Sequence, residues 1–456
     1  MTAPPLWRHQ SDAVAFLTER GGVGMLDMDM GVGKTRCAIE YCERMNFSRV
    51  LVLTPKVVID HWQDDLGQFD PRAPRVANLS NGTAQKKARE IVYATSSPRE
   101  PGFVVVNYQS AVTKTLATIL LAMEFDALIV DESHRLKAPN GKQSKWVGLK
   151  LAPTIRHRIL LTGTPMPHSP MDLFAQFRIL DPSVYGYSYW KFRNRYGVMG
   201  GYNCKQVVSY QNVEELQAKM RAHSFHVNGD DVLDLPEALP PVRIGIELST
   251  AERAAYKAVE NEFEAQVLDG TITVSNALVK LLRLQQLTGG HAHIETDIGT
   301  VCRPIGSSKC DAMLDMLNED VPTGTPVVVF FRFVDEIESV YKAARVQGYR
   351  PKILRGGVNE LASWQAGEGD LLLTQIQCGS VGVNLSRAHH CFFYSLGYSL
   401  GEYLQACKRL HRPGQTHAVS YYHLVAKGTV DGQVHRALQA RAKVIDFILS
   451  AVRGGG

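Results

Sequence analysis

Apolar residues in this chain fall in short runs, and most of the runs end on a polar cluster. In the first half the runs are the start of Val23–Thr35, then Arg49–Thr54, Phe103–Val106, Asp126–Val130 and Ile159–Leu161. In the second half they are Pro326–Phe331, Lys352–Leu354 and Leu371–Thr374. Short uninterrupted apolar runs predict strands buried on both faces, as in a parallel sheet. Between them lie helical spacings: Val14, Phe16 and Leu17 before Gly21-Gly22, then Val58, Ile59 and Trp62 behind Pro55, and a helix from Val334. Strands alternating with helices predict an α/β fold with parallel sheets, and they direct attention to the carboxyl ends of the strands.

From about Asp181 to Gly306 the alternation stops. Tyr189–Tyr196 interleaves aromatic and basic residues, a pattern that suits nucleic acid or a helix packing its aromatics while its arginines stay wet. Val198–Tyr210 reads as a hairpin turning at Gly200-Gly201, followed by helical patterns over Ala251–Val267 and Ser275–Leu287. The predicted organisation is an α/β lobe over 1–182, a mainly helical insertion over 183–306 and a second α/β lobe over 307–456.

The polar clusters carry the chemistry. The first run opens into Met28-Asp29-Met30-Gly31-Val32-Gly33-Lys34-Thr35, a strand–turn–helix context that suits a phosphate-binding loop. Backbone N–H groups of Met30, Gly31, Val32 and Gly33 would face phosphate oxygens at a helix N-terminus. Lys34 would reach the β- and γ-phosphates of ATP, and Thr35 would hold Mg²⁺. Met28 stands where GxxxxGK[ST] has its first glycine. Upstream, Gln10 has an amide suited to the N6 and N7 of adenine. The fourth run, Asp126–Val130, ends in Asp131-Glu132-Ser133-His134, where Asp131 would bind Mg²⁺ and Glu132 would deprotonate the attacking water.

Composition narrows the class. The 456 residues are 45% hydrophobic and 21% charged with a net charge of +5, which suits a folded protein and permits, without demanding, a nucleic-acid partner. The apolar runs are strand-length, too short to span a bilayer, and no secretory signal opens the chain, so a cytoplasmic location is expected. Eight cysteines without a CxxC pair suit a reducing compartment. His291, His293, Cys302 and Cys310 form a loose group whose spacing fits no common zinc finger.

Taken together, these motifs resemble the helicase-type ATPases of superfamily two, which carry an Asp-Glu-x-His box and a phosphate loop lacking the first glycine. Leu160-Leu161-Thr162-Gly163-Thr164-Pro165 is similar to the Swi/Snf branch. Cys378–Leu385 is similar to its Ala-Gly-Gly-x-Gly-x-Asn-Leu motif, and Gln405–Gln415 matches Gln-Ala-x-x-Arg-x-His-Arg-x-Gly-Gln at every fixed position. The chain departs from the branch at Pro167-His168, where Gln-Asn is usual, at Ser395, where an acid is usual, and near Phe225, where a basic run is expected. With no accessory domain recognisable, it resembles compact bacterial and bacteriophage members, active as a monomeric motor.

The resemblance implies two RecA-like lobes with a cleft between them and a DNA-stimulated ATPase that translocates on duplex DNA, remodelling branched DNA or DNA–protein complexes. It implies that Arg409 and Arg412 serve the γ-phosphate, that His134, Thr162, Thr164 and Gln405 couple the motifs, and that Thr54, Lys56, Asn107, Thr374 and Asn384 lie where DNA phosphates pass. A strand-separating DNA or RNA helicase and an ATP-switched clamp that does not translocate are the alternatives.

Overall fold

The runs of Val, Ile and Leu assemble into two separate sheets in a computed structural model, which describes residues 4–97, 100–200, 206–268, 274–296, 299–379 and 383–453. The first half contains β1 (Val23–Met28), β2 (Arg49–Thr54), β3 (Arg75–Asn78), β4 (Gly102–Asn107), β5 (Ala127–Asp131) and β6 (His157–Thr162). After these come β7 (Gly197–Gly200), β8 (Gln206–Tyr210) and β9 (Ser224–Val227). Seven of these strands form one sheet in the order β3-β4-β2-β5-β6-β1-β9, with every neighbouring pair parallel. The register aligns Leu53 with Val130, Asp131 with Leu161 and Asp27 with Thr162, so the polar ends of four strands fall side by side.

The second sheet draws on β10 (Val242–Ile246), β13 (Val327–Phe331), β14 (Pro351–Arg355), β15 (Val358–Asn359), β16 (Leu371–Gln375), β17 (His390–Phe393) and β18 (Ser420–Ala426). Its order is β10-β18-β17-β13-β16-β14-β15, parallel except for the β14–β15 pair. β11 (His291–Thr296) and β12 (Gly299–Pro304) stand apart as an antiparallel hairpin. β13 shows why an all-apolar run makes a central strand. Val327, Val329 and Phe331 pack into one core with Met313 and Ile337, while Val328 and Phe330 pack into the other with Trp364 and Leu410.

The chain divides into two compact units, one of 1–234 with 442–456 and the other of 235–441. The segment 183–306, expected to interrupt the parallel alternation, instead adds an outer strand to each sheet, β9 beside β1 and β10 beside β18. These strands escape a pattern reading because they lie at sheet edges: Phe225 and His226 are only partly buried and most of β10 faces water, so no apolar run marks them. The two long helices follow the pattern, at Thr250–Leu268 and Val274–Thr288, and β7 pairs with β8 as a hairpin. Gly201, at its expected turn, lies outside the described residues. Among the described residues no helix is long and apolar enough to cross a membrane.

One buried ion pair ties the second unit together. Lys309, in the helix Ser308–Asp320, places Nζ 2.6 Å from Asp431 Oδ2 and donates to the Tyr394 carbonyl at 3.2 Å. Asp431 also accepts from Thr288 Oγ1 at 2.9 Å and Ala426 N at 3.2 Å. Removing the ammonium leaves a desolvated carboxylate without its counter-charge. Lys309→Met is therefore expected to lower the unfolding free energy by about 3–5 kcal/mol in urea denaturation, with much of the loss recovered by adding Asp431→Leu.

Candidate nucleotide site

β1 ends at Met28, the chain turns through residues 29–33, and Lys34 opens the helix Lys34–Arg44. Gly33 caps that helix at φ +88°, and a Cβ there would lie 2.3 Å from Gln10 Nε2, so both backbone and space require glycine. Lys34 Nζ donates to the Met28 carbonyl at 2.7 Å and the Asp29 carbonyl at 2.9 Å. These acceptors are neutral, and an ammonium bonds a charged phosphate oxygen more strongly. Gln10 is buried against the same turn, accepting from Trp7 N at 3.0 Å and donating to the Val32 carbonyl at 3.1 Å. A primary amide has two N–H bonds and two lone pairs, so one of each is left over, the pair an adenine edge uses.

The acids in and before the turn are engaged by β9 and the residues after it. His226 Nδ1 lies 2.9 Å from Asp27 Oδ2, and Gly229 N donates to Asp29 Oδ2 at 2.9 Å. Sequence reasoning missed these partners because they lie about two hundred positions away.

Asp131 is buried at the end of β5. Its Oδ2 accepts from Thr54 Oγ1 and from Trp62 Nε1, both at 2.9 Å. Burial, and then the neighbouring Glu132 charge, push its pKa up, while Trp62, Thr54 and Lys34 oppose the shift. Glu132 follows in a left-handed conformation at φ +54°, rare for a residue with a Cβ. Its Oε2 is buried and makes no hydrogen bond among the described residues. A strained backbone and an unbonded carboxylate oxygen together mark a position shaped for something other than stability.

His134 joins this turn to the end of β6. Its Nδ1 lies 3.1 Å from Thr162 Oγ1, 3.5 Å from Thr164 Oγ1 and 3.3 Å from Glu132 Oε2. Burial lowers its pKa to about 3, so the ring is neutral at physiological pH and its approach to Glu132 is not an ion pair. Gly163 closes the arrangement, since a Cβ there would meet the Met28 carbonyl at 3.0 Å. Gln176, another residue the sequence did not mark, bridges both turns: it accepts from Ser133 Oγ at 2.8 Å and donates to the Pro165 carbonyl at 2.6 Å. After Pro165, where the branch has Gln-Asn, His168 N and Ser169 N donate to Asp172 Oδ2 at 2.7 and 3.2 Å.

Three of the expected DNA contacts are corrected by burial. Thr54 commits its hydroxyl to Asp131, Asn107 caps a helical turn by accepting from Ser110 N at 2.7 Å, and Thr374 donates to the Leu354 carbonyl at 3.0 Å. All three are buried, so none is open to a phosphate. Lys56 and Asn384 are exposed. The aromatic–basic helix Tyr189–Tyr196 packs Phe192 and Tyr196 inward against Tyr185 and leaves Trp190 exposed.

In the second unit, Gln405 and Arg409 are buried on the helix Leu400–Leu410. Arg412 follows it, donating from one terminal nitrogen to the Val383 carbonyl at 3.3 Å, while its buried Nε makes no hydrogen bond among the described residues. Gln415, the last residue of that motif, serves the loop itself, donating to the Ala388 carbonyl at 2.8 Å and accepting from Thr416 N and His417 N. Ser380, Val381 and Gly382 of the preceding motif lie outside the described residues. Ser395 donates to Glu336 Oε2 at 2.5 Å and accepts from Arg332 N at 2.8 Å, so a buried carboxylate stands beside the position where the branch carries an acid.

Residues 9–291 match the SNF2-related domain, and residues 308–414 match the helicase conserved C-terminal domain. The chain belongs to the SNF2-related family. As a member it is a helicase-like α/β protein built on two RecA-like lobes. It is 28% identical to putative protein p41 of Acyrthosiphon pisum secondary endosymbiont phage 1, covering 93% of this chain and 94% of that protein. It is 24% identical to the CHD3-type chromatin-remodeling factor CHR7 of Arabidopsis thaliana and 25% identical to the human DNA annealing helicase and endonuclease ZRANB3. Those matches cover 88% and 97% of this chain, which spans only 34% of CHR7 and 40% of ZRANB3. The solved Sulfolobus solfataricus SWI2/SNF2 ATPase core in complex with dsDNA is 21% identical, with 99% of this chain and 94% of that one covered at a TM-score of 0.44.

In this SNF2-related chain the donors on Asp131 make a prediction about acidity. Burial raises the carboxyl, so acid protonates it readily, and the Trp62 N–H favours the ionised form. Trp62→Phe removes that N–H and should raise the pKa further. The acid limb of the pH–rate profile for ATP turnover is expected to move to higher pH, and Thr54→Val should move it the same way.

Proposed function

We propose that this SNF2-related chain is an ATP-driven translocase on double-stranded DNA that remodels branched DNA or DNA–protein complexes as a monomeric motor. The observation that carries the reading is the presence, in one unit, of the glycine-capped Lys34 turn, Asp131 and the strained Glu132, whose Oε2 makes no hydrogen bond among the described residues. The choice of duplex and branched DNA draws on family membership and on relatives named as a chromatin-remodeling factor and a DNA annealing helicase.

The residues present fit a magnesium nucleotide. Lys34 exchanges two neutral carbonyls for phosphate oxygens, the turn offers its N–H groups, and Gln10 presents its spare donor and acceptor to adenine. Thr35 and Asp131 would hold Mg²⁺, which would supply positive charge to the phosphate oxygens. Glu132 has an oxygen that makes no hydrogen bond among the described residues, with which to take a proton from water. His134, neutral and bonded to Thr162 at the end of β6, places its ring beside Glu132.

Arg409 and Arg412 belong to the second unit, and the buried Nε of Arg412 makes no hydrogen bond among the described residues, which suits a guanidinium that binds an anion. Exposed Lys56 and Asn384 are the phosphate contacts retained in this reading, which places the motor in the cytoplasm of a bacterial or phage-infected cell, in keeping with its phage relative.

Glu132→Gln is expected to bind ATP normally while turnover falls about 10²–10⁴-fold, because an amide cannot accept the proton; Lys34→Ala should lose binding as well. Nucleotide-binding titrations beside steady-state turnover check this, and normal turnover in Glu132→Gln would remove the assignment. Arg412→Ala should keep ATP affinity within about tenfold while DNA-stimulated turnover drops about 10³–10⁵-fold. Recovery at saturating duplex DNA would make Arg412 a DNA grip instead. Triplex displacement by the unmodified chain tests translocation, and failure to displace despite ATP turnover would favour the clamp.

A further inference from the structure

The hairpin of β11 and β12 brings together two residues that the motor chemistry does not use. His293 and Cys302 are direct partners in its antiparallel register, so their side chains leave the same face of the ribbon. Against that face lies Asp335, in the first turn of the helix Val334–Val346. His293 Nε2 is 2.9 Å from Asp335 Oδ2, and the Cys302 thiol hydrogen-bonds to the same carboxylate. One ligand atom from each residue lies within 4.8 Å of those of the other two. All three residues are half-buried, which shields an ion while leaving it a way in.

We propose that His293, Cys302 and Asp335 form a zinc site that clamps the β11–β12 hairpin to the start of the helix Val334–Val346. Tetrahedral zinc binds imidazole, thiolate and carboxylate at about 2.0–2.3 Å, which sets ligand atoms roughly 3.3–3.8 Å apart, within a small side-chain adjustment of the arrangement present. Thiolate with imidazole favours zinc over magnesium or calcium, which take oxygen ligands. Zinc replaces the proton on Cys302, which leaves to solvent as the metal–sulfur bond forms. Water completes the fourth position.

The neighbours that resemble further ligands are otherwise engaged. His291 points one ring nitrogen at the Gly289 carbonyl, 3.0 Å away, and the other at Ser339 Oγ, 2.8 Å away. Cys310 is buried in the apolar core with Met313 and Leu314. The ligand set is therefore not the four residues of the loose His–Cys group but two of them and an acid from a different element.

The test uses the full chain, stripped with chelator and titrated with Co²⁺ as a spectroscopic stand-in for zinc. One equivalent should give tetrahedral visible bands and a near-ultraviolet thiolate-to-cobalt band, both abolished by one equivalent of Zn²⁺. Cys302→Ser should remove the thiolate band, whereas Cys310→Ser and His291→Ala should keep it. His293→Ala and Asp335→Asn should each weaken Zn²⁺ binding by more than about tenfold, a loss that even outer-shell changes reach. Absence of stoichiometric binding, or a thiolate band that survives Cys302→Ser, would overturn the site and leave the three residues as a hydrogen-bonded latch.

Discussion

A carboxylate taken out of water costs several kcal/mol unless donors or charges replace its hydration, and the first unit is arranged around one such group. Asp131 is held by Thr54 from the next strand and by Trp62 from the helix that follows it. That hold requires β2 and β5 to lie parallel with Leu53 opposite Val130, because one residue of slippage turns each side chain to the opposite face. The same register brings Thr162 level with Asp27 and sets His134 against the end of β6. Placement of the Lys34 turn, the Glu132 bend and the Thr162 turn thus traces to strand alignment, with Asp131 as its most costly member.

Strain appears where chemistry is expected and is supported from outside. Glu132 bends at positive φ between buried Asp131 and buried Ser133, and Gln176 secures Ser133 from a helix more than forty positions on. Tyr108 adds a hydroxyl to the Asp131 carbonyl from the start of a further helical turn. The bend is over-determined by its surroundings, which lets one carboxylate oxygen go without a hydrogen bond among the described residues.

The second unit meets the same constraint with charge. Lys309 and Asp431 neutralise each other in the interior, and Glu336 shares the region, its carboxyl raised to about 7 chiefly by burial, with Lys309 and the Ser395 hydroxyl opposing the shift. The acid that the Swi/Snf branch carries at position 395 is a serine here, yet the serine's partner is an acid. An acidic side chain thus stands near the end of β17, supplied by the helix Val334–Val346.

Central strands and the glycine–lysine turn were legible in the sequence because their signals are local. A strand buried on both faces must be apolar throughout, and a glycine–lysine turn needs its residues in one order. Asp131, Glu132 and the Gln405–Gln415 motif were legible for the same reason. What only the tertiary structure decided depends on partners far apart in the chain. Edge strands β9 and β10 bury too little to leave a pattern, so their place in the two sheets emerges only from pairing. Thr54, Asn107 and Thr374 sit at strand ends, where sequence cannot tell a hydroxyl or amide turned to solvent from one spent on a neighbouring carboxylate or backbone group. Likewise His293 and Cys302 acquire a shared carboxylate only because a helix begins beside their hairpin, a proximity that no spacing along the chain encodes.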